Sequence, residues 1–222
     1  MLYADLLKLR EMKRVGEQIA SSEPRIDVLM NNAGAIFDRH EETEDHLERT
    51  FALNHMSYFV ITHLLRERLL NTPGARVVST SSGAHSWGTL DFADLQNKSY
   101  RSMTAYGRSK LCNILFTREL ARRLCGTGVT ANCLHPGFVA TRFGDSGGNA
   151  QVLILRFMKL FALSEAEGAK TMIYLASSPK VAGISGEYFD KCAPSTPKPY
   201  AQDDVSAARL WRNRKSWPGS AD

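Results

Sequence analysis

The stretch "TAYGRSK", residues 104–110, places a phenol and an ammonium group four residues apart. If this stretch is helical, Tyr106 and Lys110 lie on one face of the helix, because positions four apart are neighbours there. A lysine held beside a tyrosine can make the phenol acidic enough to exchange a proton near neutral pH. The simpler alternative is a half-buried helix tyrosine next to a solvated lysine, and for an isolated pair that is the better interpretation.

Strand-like and helix-like segments alternate along the chain. The strand predictions, on short apolar or β-branched runs, cover residues 25–30, 75–80, 129–135 and 186–190. The helix predictions cover residues 6–21, 42–70, 103–124, 151–161 and 164–177, with a loop at 138–150. This alternation predicts an α/β fold with a parallel sheet, in a single domain over residues 1–222 with a Pro-rich and then basic tail at 194–222.

Small polar motifs follow three of the predicted strands. They are "NNAG" at 31–34, "STSSGAH" at 79–85 and "HPGFVAT" at 135–141. Ligands of doubly wound sheets bind beyond the carboxyl ends of the strands, and Tyr106 and Lys110 begin the helix that follows the second strand. Each motif alone can be explained as turn chemistry, so the convergence of all of them is what predicts a ligand site.

These motifs resemble the short-chain dehydrogenase/reductase family, and within it the retinol dehydrogenase-like branch. The resemblance is carried, in the family's order, by "NNAG", the Asn of "FALNHMSYF", "VVSTSSGAH", "YGRSK" and "HPGFVAT". It implies a Rossmann-like fold and an oxidoreductase that transfers a hydride between NAD or NADP and an alcohol or carbonyl substrate. The segment "VLILRFMKLFAL", which starts at Val152, favours a lipophilic substrate.

The resemblance also implies the catalytic roles. Tyr106 would be the general acid/base, Ser82 would hold the substrate oxygen, Lys110 would donate to the ribose hydroxyls, and Asn54 would bind a water that links Lys110 to solvent. An ordinary tyrosine has a pKa of about 10, so a value near 7 requires about 4 kcal/mol from Lys110 and the positive nicotinamide ring. Ser81 competes with Ser82 for its role, and Asn54 could instead cap a kink in the long helix.

A larger set of residues is implied to contact the cofactor. They are Asp5, Asn32, Ala33, Gly34, Tyr106, Lys110, Pro136, Gly137, Val139 and Thr141.

The family's glycine-rich turn, T-G-x-x-x-G-x-G, has no counterpart upstream of "NNAG". That turn lets the backbone approach the pyrophosphate at a helix N-terminus, so its absence leaves the choice between NAD and NADP open. The chain is accordingly expected to begin after the family's first two strands and most of the third, with 25–30 as an apolar edge strand. Either an ordinary enzyme is represented here in part, or the short chain is impaired. In the second case it could be a non-catalytic remnant that binds a partner through this edge.

Composition limits the other classes of function. The net charge of +5 is mild, and the basic tail with Trp211 and Trp217 is interpreted as protein surface rather than a nucleic-acid site. The spacing of the cysteines and histidines predicts no metal site. No pair of cysteines has C-x-x-C spacing, and the four are interpreted as reduced thiols of a cytoplasmic protein. The start of the sequence does not resemble a signal peptide, and no apolar run approaches the length of a membrane span. A homo-oligomer is compatible with the resemblance, because the family pairs the helices that here contain Asn54 and Tyr106.

Overall fold

One five-stranded sheet organises the computed structural model, which describes residues 1–137 and 164–213. In spatial order the strands are β1 (Val28–Asn31), β2 (Arg76–Thr80), β3 (Thr130–His135), β4 (Tyr188–Asp190) and β5 (Ala193–Pro194). The first four pair in parallel and β5 pairs antiparallel with β4. The predicted α/β fold with a parallel sheet is therefore confirmed. The sequence analysis missed β5, which is two residues long and lies in the stretch that was assigned to a Pro-rich tail.

The helices connect these strands and flank the sheet. The described α-helices are α1 (Leu9–Ser22), α2 (Arg49–Phe51), α3 (Ser57–Leu64), α4 (Arg66–Leu70), α5 (Ser102–Arg123), α6 (Glu165–Ser177) and α7 (Asp204–Arg212). A π-helical turn, Ala52–Met56, joins α2 to α3, and a 3₁₀ turn, Gly83–Trp87, follows β2. The helix predicted at 151–161 and the loop predicted at 138–150 lie outside the described residues.

Successive strand residues face opposite layers of helices, as the two-residue period of a strand requires. On β2, Val77 packs with Phe116 and Leu120 of α5, whereas its neighbour Val78 packs with Leu175 of α6. All five side chains are buried. Helices thus cover both faces of the sheet, which is the doubly wound arrangement.

The helix predicted over 42–70 is wrong at its beginning and is not continuous. An antiparallel β-bridge joins Glu42 to Glu48, and the helix starts only at Arg49. The helix begins after Glu48 because the Glu48 carboxylate caps its N-terminus. The carboxylate accepts hydrogen bonds from Thr50 N–H at 2.6 Å and from Phe51 N–H at 2.9 Å. Residues 42–46 contain no apolar residue, and the apolar positions of the helix begin at Leu47 and Phe51, so the prediction extended the helix into a polar segment.

The helix α1 lies against α3 and takes its N-terminal cap from a distant residue. Asp45 Oδ2 accepts a 2.8 Å hydrogen bond from Leu9 N–H, and this explains why the helix starts three residues later than predicted. A Cβ at Gly16 would lie 2.6 Å from Leu64 Cδ1, so α1 and α3 approach closely. Within residues 1–137 and 164–213, no helix is both long enough and apolar enough to cross a bilayer.

Candidate active site

The carboxyl ends of β1, β2 and β3 meet at one edge of the sheet and bring the polar motifs together. The end of β2 is joined to the segment after β1 by a 2.8 Å hydrogen bond from Thr80 Oγ1 to Asn32 Oδ1. It is joined to β3 by a 2.8 Å bond from Ser81 N–H to Leu134 O. These links fix the spacing between the three segments, so the side chains that they carry form one site.

Tyr106 and Lys110 stand on the face of α5 that looks toward this edge. Lys110 Nζ lies 5.6 Å from the centre of the Tyr106 ring and donates a 3.2 Å hydrogen bond to Thr80 O. The Lys110 side chain is buried, and burial lowers its pKa to about 7. A lysine this close to its titration point gains or loses its charge readily near neutral pH.

The two adjacent serines after β2 have different partners. Ser81 is buried and its Oγ donates a 2.8 Å hydrogen bond to Lys110 O, so it ties β2 to α5. The Ser82 side chain makes a hydrogen bond with Tyr106 and accepts another from Ala84 N–H at 3.2 Å. Of the two hydroxyls, the one on Ser82 therefore lies beside the phenol.

Burial raises the pKa of Tyr106 to about 12, and the hydrogen bond to Ser82 opposes that rise only in part. The residues of the chain alone thus keep the phenol protonated at neutral pH. The expected value near 7 includes the positive nicotinamide ring, so it stays a prediction for the chain with its cofactor bound. A positive group bound next to the ring would lower this pKa.

A close contact between two glycines brings α5 against the turn that carries Ser82. A Cβ built on Gly107 would lie 2.5 Å from Ala84 O, and one built on Gly88 would lie 2.5 Å from Gly107 C. Neither position has space for a larger residue. Gly107 directly follows Tyr106 in sequence, so this contact sets how near Tyr106 comes to Ser82.

Asn54 lies in the π-helical turn and holds the segment after β1. Its Oδ1 accepts from Ala35 N–H at 2.8 Å, and its Nδ2 donates to Ala35 O at 2.9 Å. Nδ2 also lies 3.0 Å from Ser109 Oγ. The π turn changes the pairing of the local backbone, and Asn54 O accepts a 2.9 Å bond from Asn113 Nδ2. Asn54 thus connects α5 to the "NNAG" segment. Asn54 and Lys110 both lie next to Gly34.

The "NNAG" segment presents exposed backbone directly above buried polar groups. Asn32, Ala33 and Gly34 are exposed, and a Cβ on Gly34 would lie 3.2 Å from Asn54 Oδ1 and 3.3 Å from Lys110 Nζ. Among the described contacts Lys110 Nζ makes one hydrogen bond, which leaves two of its three N–H donors for a ligand. An open backbone wall above a buried donor suits a nicotinamide nucleotide, whose ribose hydroxyls can accept from an ammonium group.

The other residues implied to contact a cofactor are placed less closely. Pro136 and Gly137 follow β3, and Gly137 has a φ of 81°, a conformation that side chains rarely adopt. Asp5 is exposed, and in the described structure its carboxylate accepts from Leu7 N–H and lies 3.9 Å from Lys8 Nζ. None of its described contacts joins it to the residues of the site. Val139 and Thr141 lie outside the described residues.

Sequence analysis missed several residues that hold the site together. Asn113 Nδ2 bridges Asn54 O and Thr80 O, at 2.9 and 3.1 Å, and Tyr58 donates a 2.9 Å hydrogen bond to Ala33 O. The position of Asn113, three residues after Lys110 on the same helical face, was a signal that could have identified it. The role of Tyr58 depends on the turn that precedes α3, which the sequence pattern did not predict.

Comparison with known proteins identifies related chains. Residues 1–151 match the family model described as short chain dehydrogenase. The chain is 43% identical to human retinol dehydrogenase 14 over 212 residues, which cover 93% of this chain and 63% of that protein. It is 38% identical to human retinol dehydrogenase 13 over 216 residues, covering 94% of this chain and 65% of the relative. The chain thus spans a little under two thirds of the length of these relatives.

The fold of the chain is also similar to that of solved structures. An uncharacterised protein from Mycobacterium paratuberculosis superposes with a TM-score of 0.71 at 30% identity, covering 94% of this chain and 71% of that one. A short chain dehydrogenase from Pseudomonas syringae gives a TM-score of 0.64 at 21% identity, covering 84% of this chain and 71% of that one. The second likeness bears on the fold alone.

Proposed function

Since the chain belongs to the short-chain dehydrogenase family, we propose that it acts as an oxidoreductase between a nicotinamide cofactor and an alcohol or carbonyl substrate. The observation that carries this proposal is the grouping of three side chains. Tyr106 is hydrogen-bonded to Ser82, and Lys110 Nζ lies 5.6 Å from the Tyr106 ring. Phenol, hydroxyl and ammonium groups in this arrangement can hold a substrate oxygen and move its proton.

The proton is assigned to Tyr106. In reduction the phenol donates a proton to the oxygen that was the carbonyl, and in oxidation the phenolate takes it from the alcohol. Ser82 donates a hydrogen bond to the same oxygen and keeps it beside Tyr106. With a pKa of about 12, Tyr106 is protonated at neutral pH, which is the form that reduction requires. Oxidation requires the phenolate, which the positive charge of an oxidised nicotinamide would stabilise.

The nucleotide is assigned to the wall formed by Asn32, Ala33 and Gly34, with Lys110 donating to its ribose hydroxyls. Pro136 and Gly137 are proposed to lie along the nicotinamide end, followed by Val139 and Thr141, which lie outside the described residues. The nicotinamide supplies or accepts the hydride when bound. We propose that Asn54 orders a water next to Lys110. Asp5 is the proposed adenine contact, and both NAD and NADP remain candidates.

The substrate is proposed to be lipophilic. The relatives named above are retinol dehydrogenases, and the segment that starts at Val152 is apolar. Retinol and retinaldehyde are therefore the first substrates to test.

The first experiment titrates the purified chain with NADPH and with NADH and follows nicotinamide fluorescence. Saturable binding of either nucleotide is expected, because the backbone of the "NNAG" segment is exposed and Lys110 Nζ, directly beneath it, makes one described hydrogen bond. If neither binds, this chain is not an oxidoreductase on its own. The alternative proposal, a non-catalytic chain that binds a partner, is then favoured by the β1 edge, where Val28 is 37% and Met30 is 38% exposed.

The second experiment replaces Tyr106 by Phe. Turnover of retinaldehyde with NADPH, or with NADH if that nucleotide binds, should fall at least about a hundredfold, because the substrate oxygen loses its proton donor. Cofactor binding should change little, since the ring and Lys110 remain. Initial rates and fluorescence titrations of both proteins measure the two quantities. Wild-type turnover in Tyr106→Phe would rule out the proposed proton donor.

A further inference from the structure

Two histidines from different elements hold the single peptide group that follows Ser82. The carbonyl of this group, Ser82 O, accepts a 2.8 Å hydrogen bond from His85 Nδ1. Its amide, Gly83 N–H, donates a 3.1 Å hydrogen bond to His135 Nδ1. His85 lies in the turn after β2 and His135 ends β3, so the peptide lies between two imidazoles that approach from opposite sides of the chain.

The partners determine the tautomer of each ring. A carbonyl oxygen only accepts, so His85 carries its proton on Nδ1, and its Nε2 accepts a 3.3 Å bond from Lys198 N–H. A backbone amide only donates, so His135 Nδ1 is unprotonated, and in the neutral ring the proton lies on Nε2. Both hydrogen-bonding patterns require a neutral imidazole.

The plane of this peptide fixes the backbone that carries the Ser82 side chain. Ser82 is extended, with φ of −164° and ψ of 155°, and rotation about ψ would turn the Ser82–Gly83 peptide out of both hydrogen bonds. With the peptide held, the backbone of Ser82 is fixed, and the 3.2 Å bond from Ala84 N–H keeps its Oγ in the rotamer that lies beside Tyr106. The second support of this turn is the tail segment, because Tyr200 OH donates a 3.2 Å bond to His85 O.

We propose that His85 and His135 are positioning residues, which grip the Ser82–Gly83 peptide between two neutral imidazoles and so hold the Ser82 hydroxyl against Tyr106. The grip is a property of the fold, and its value for catalysis rests on the function proposed above. If the two histidines only filled space in this turn, the structure of the turn would not depend on which ring nitrogen carries the proton. The grip does depend on it, because each of its hydrogen bonds needs one particular tautomer.

The surroundings keep both rings neutral near pH 7. His85 faces the edge of the Tyr188 ring, with centroids 5.3 Å apart. Burial and the charge of Lys198 lower its pKa, and the bond to Ser82 O opposes them only in part. Burial also lowers the pKa of His135, as do Lys191 and His85, whereas Asp190 opposes them. Protonation would set a new N–H of His85 against Lys198 N–H, and a new N–H of His135 against Gly83 N–H. Acid therefore breaks the bond from Gly83 N–H to His135, whereas His85 keeps its Nδ1–H bond to Ser82 O and loses only the bond from Lys198 N–H.

Matched variants separate the hydrogen bonds from the volume of the rings. Asn carries polar atoms at the position of Nδ1, so His85→Asn keeps a donor for Ser82 O and His135→Asn keeps an acceptor for Gly83 N–H. His85→Leu and His135→Leu fill similar space but cannot make these bonds. The grip is measured without catalysis, on protein with ¹⁵N-labelled histidine and ¹³C-labelled tyrosine.

The expected spectra show His85 as the Nδ1–H tautomer and His135 as the Nε2–H tautomer at neutral pH. The Tyr106 Cζ resonance, which responds to the bond with Ser82, should move in both Leu variants and stay near its wild-type position in both Asn variants. The opposite tautomer of either ring, or a Tyr106 resonance that neither Leu variant moves, would overturn the proposal. The tautomers are read on the wild-type chain, so they decide the matter even if a Leu variant does not fold.

Kinetics test what the grip does for the reaction. In retinaldehyde reduction, kcat should fall about tenfold or more in the Leu variants and recover to within about threefold in the Asn variants, with KM for the nucleotide unchanged. The acid limb of the wild-type pH profile should follow the titration of His135, because only its protonation removes a bond to the Ser82–Gly83 peptide. Equal loss in Asn and Leu variants would contradict a positioning role. A wild-type chain without turnover but with the expected spectra would refute the proposed function and leave the grip intact.

Discussion

Lys110 shows how one buried charge can oppose stability and serve ligand binding. Its ammonium is enclosed beside Tyr106 and Tyr58, 5.6 and 5.8 Å from the two ring centres, and its one described hydrogen bond goes to Thr80 O. Removing a cation from water costs free energy that these neighbours return only in part. The fold accepts this cost at the place where a nucleotide would supply further acceptors.

The pH dependence of stability should show this cost. Burial lowers the pKa of folded Lys110 to about 7 from its ordinary 10.5, so between these values the unfolded chain binds more protons than the folded chain. The free energy of unfolding contributed by this group therefore rises with pH across that window and is lowest below it. Lys110→Met should be more stable than wild type, by about 1–3 kcal/mol near pH 6, and the gap should close toward about pH 10.

Urea unfolding of both proteins at several pH values measures this difference. Titration of the same variant with NADPH should show weaker binding, because the donor to the ribose is gone. A stability difference that does not change with pH would mean that the charge of Lys110 is not what the fold opposes.

At the scale of the elements, the site depends on how α5 meets the turn after β2. Gly107→Ala places a methyl group 2.5 Å from Ala84 O, where the obstacle is backbone and cannot rotate away. The variant should lose about 1–3 kcal/mol of stability, and Tyr106 should move away from Ser82. Denaturant midpoints measure the loss. Initial rates of retinaldehyde reduction should fall in the same variant, because the two side chains no longer hold one oxygen.

A matched control uses a glycine in open space. A Cβ on Gly183 meets nothing within 4 Å, so Gly183→Ala should change stability by less than about 0.5 kcal/mol. Equal stability of Gly107→Ala and Gly183→Ala would show that the contact with Ala84 yields without cost.

The elements also show how far sequence reasoning extends. The strands that end at Asn31, Thr80 and His135 were predicted within a few residues, because apolar β-branched runs and the polar motifs that follow them are local signals. The start of α2 was not predicted, because the capping role of Glu48 and its β-bridge to Glu42 depend on a turn that the polar residues 42–46 do not distinguish from a polar first turn of a helix.

Long-range contacts explain the rest of what the sequence did not reveal. The sequence motifs identified Tyr106 and Lys110 as candidates, and both lie on one face of α5. In contrast, no local sequence signal indicates the hydrogen bond between His85 and Lys198. The contact of Gly107 and Gly88 between α5 and the turn after β2 could not be predicted either, since a glycine in a helical pattern does not indicate which residue packs against it. Such contacts depend on how the elements pack, so a single sequence does not specify them in a readable form.

In the whole molecule, α7 covers part of the face formed by α3 and α5. Trp211 stacks on Phe116, with centroids 5.7 Å apart and planes at 9°, and meets the edge of Phe59 at 5.1 Å. An ion pair between Arg118 and Asp204, 2.8 Å long, fixes the other end of α7. A homo-oligomer that pairs the helices containing Asn54 and Tyr106, as the family resemblance suggests, would have to accommodate α7 at its interface.

Removal of the Trp211 ring should expose this face. Trp211→Ala should lower the free energy of unfolding by about 2–3 kcal/mol and increase self-association, because Phe59 and Phe116 lose their cover. Thermal melts and sedimentation velocity measure the two effects. Trp87→Ala is the control, since Trp87 is already 62% exposed and its removal should leave both quantities nearly unchanged. A Trp211→Ala protein that sediments as wild type does would show that this face does not attract a second chain.

The bond between Lys198 and His85 joins residues that are 113 positions apart, and it orders the events of biosynthesis. A nascent chain that has emerged as far as Lys110 already contains all four side chains assigned to the reaction. It does not yet contain the amide that secures the imidazole behind Ser82. Under the proposed function, a chain released before the ribosome has delivered Lys198 and Tyr200 is therefore expected to contain the reacting side chains without the two bonds that these residues make to His85.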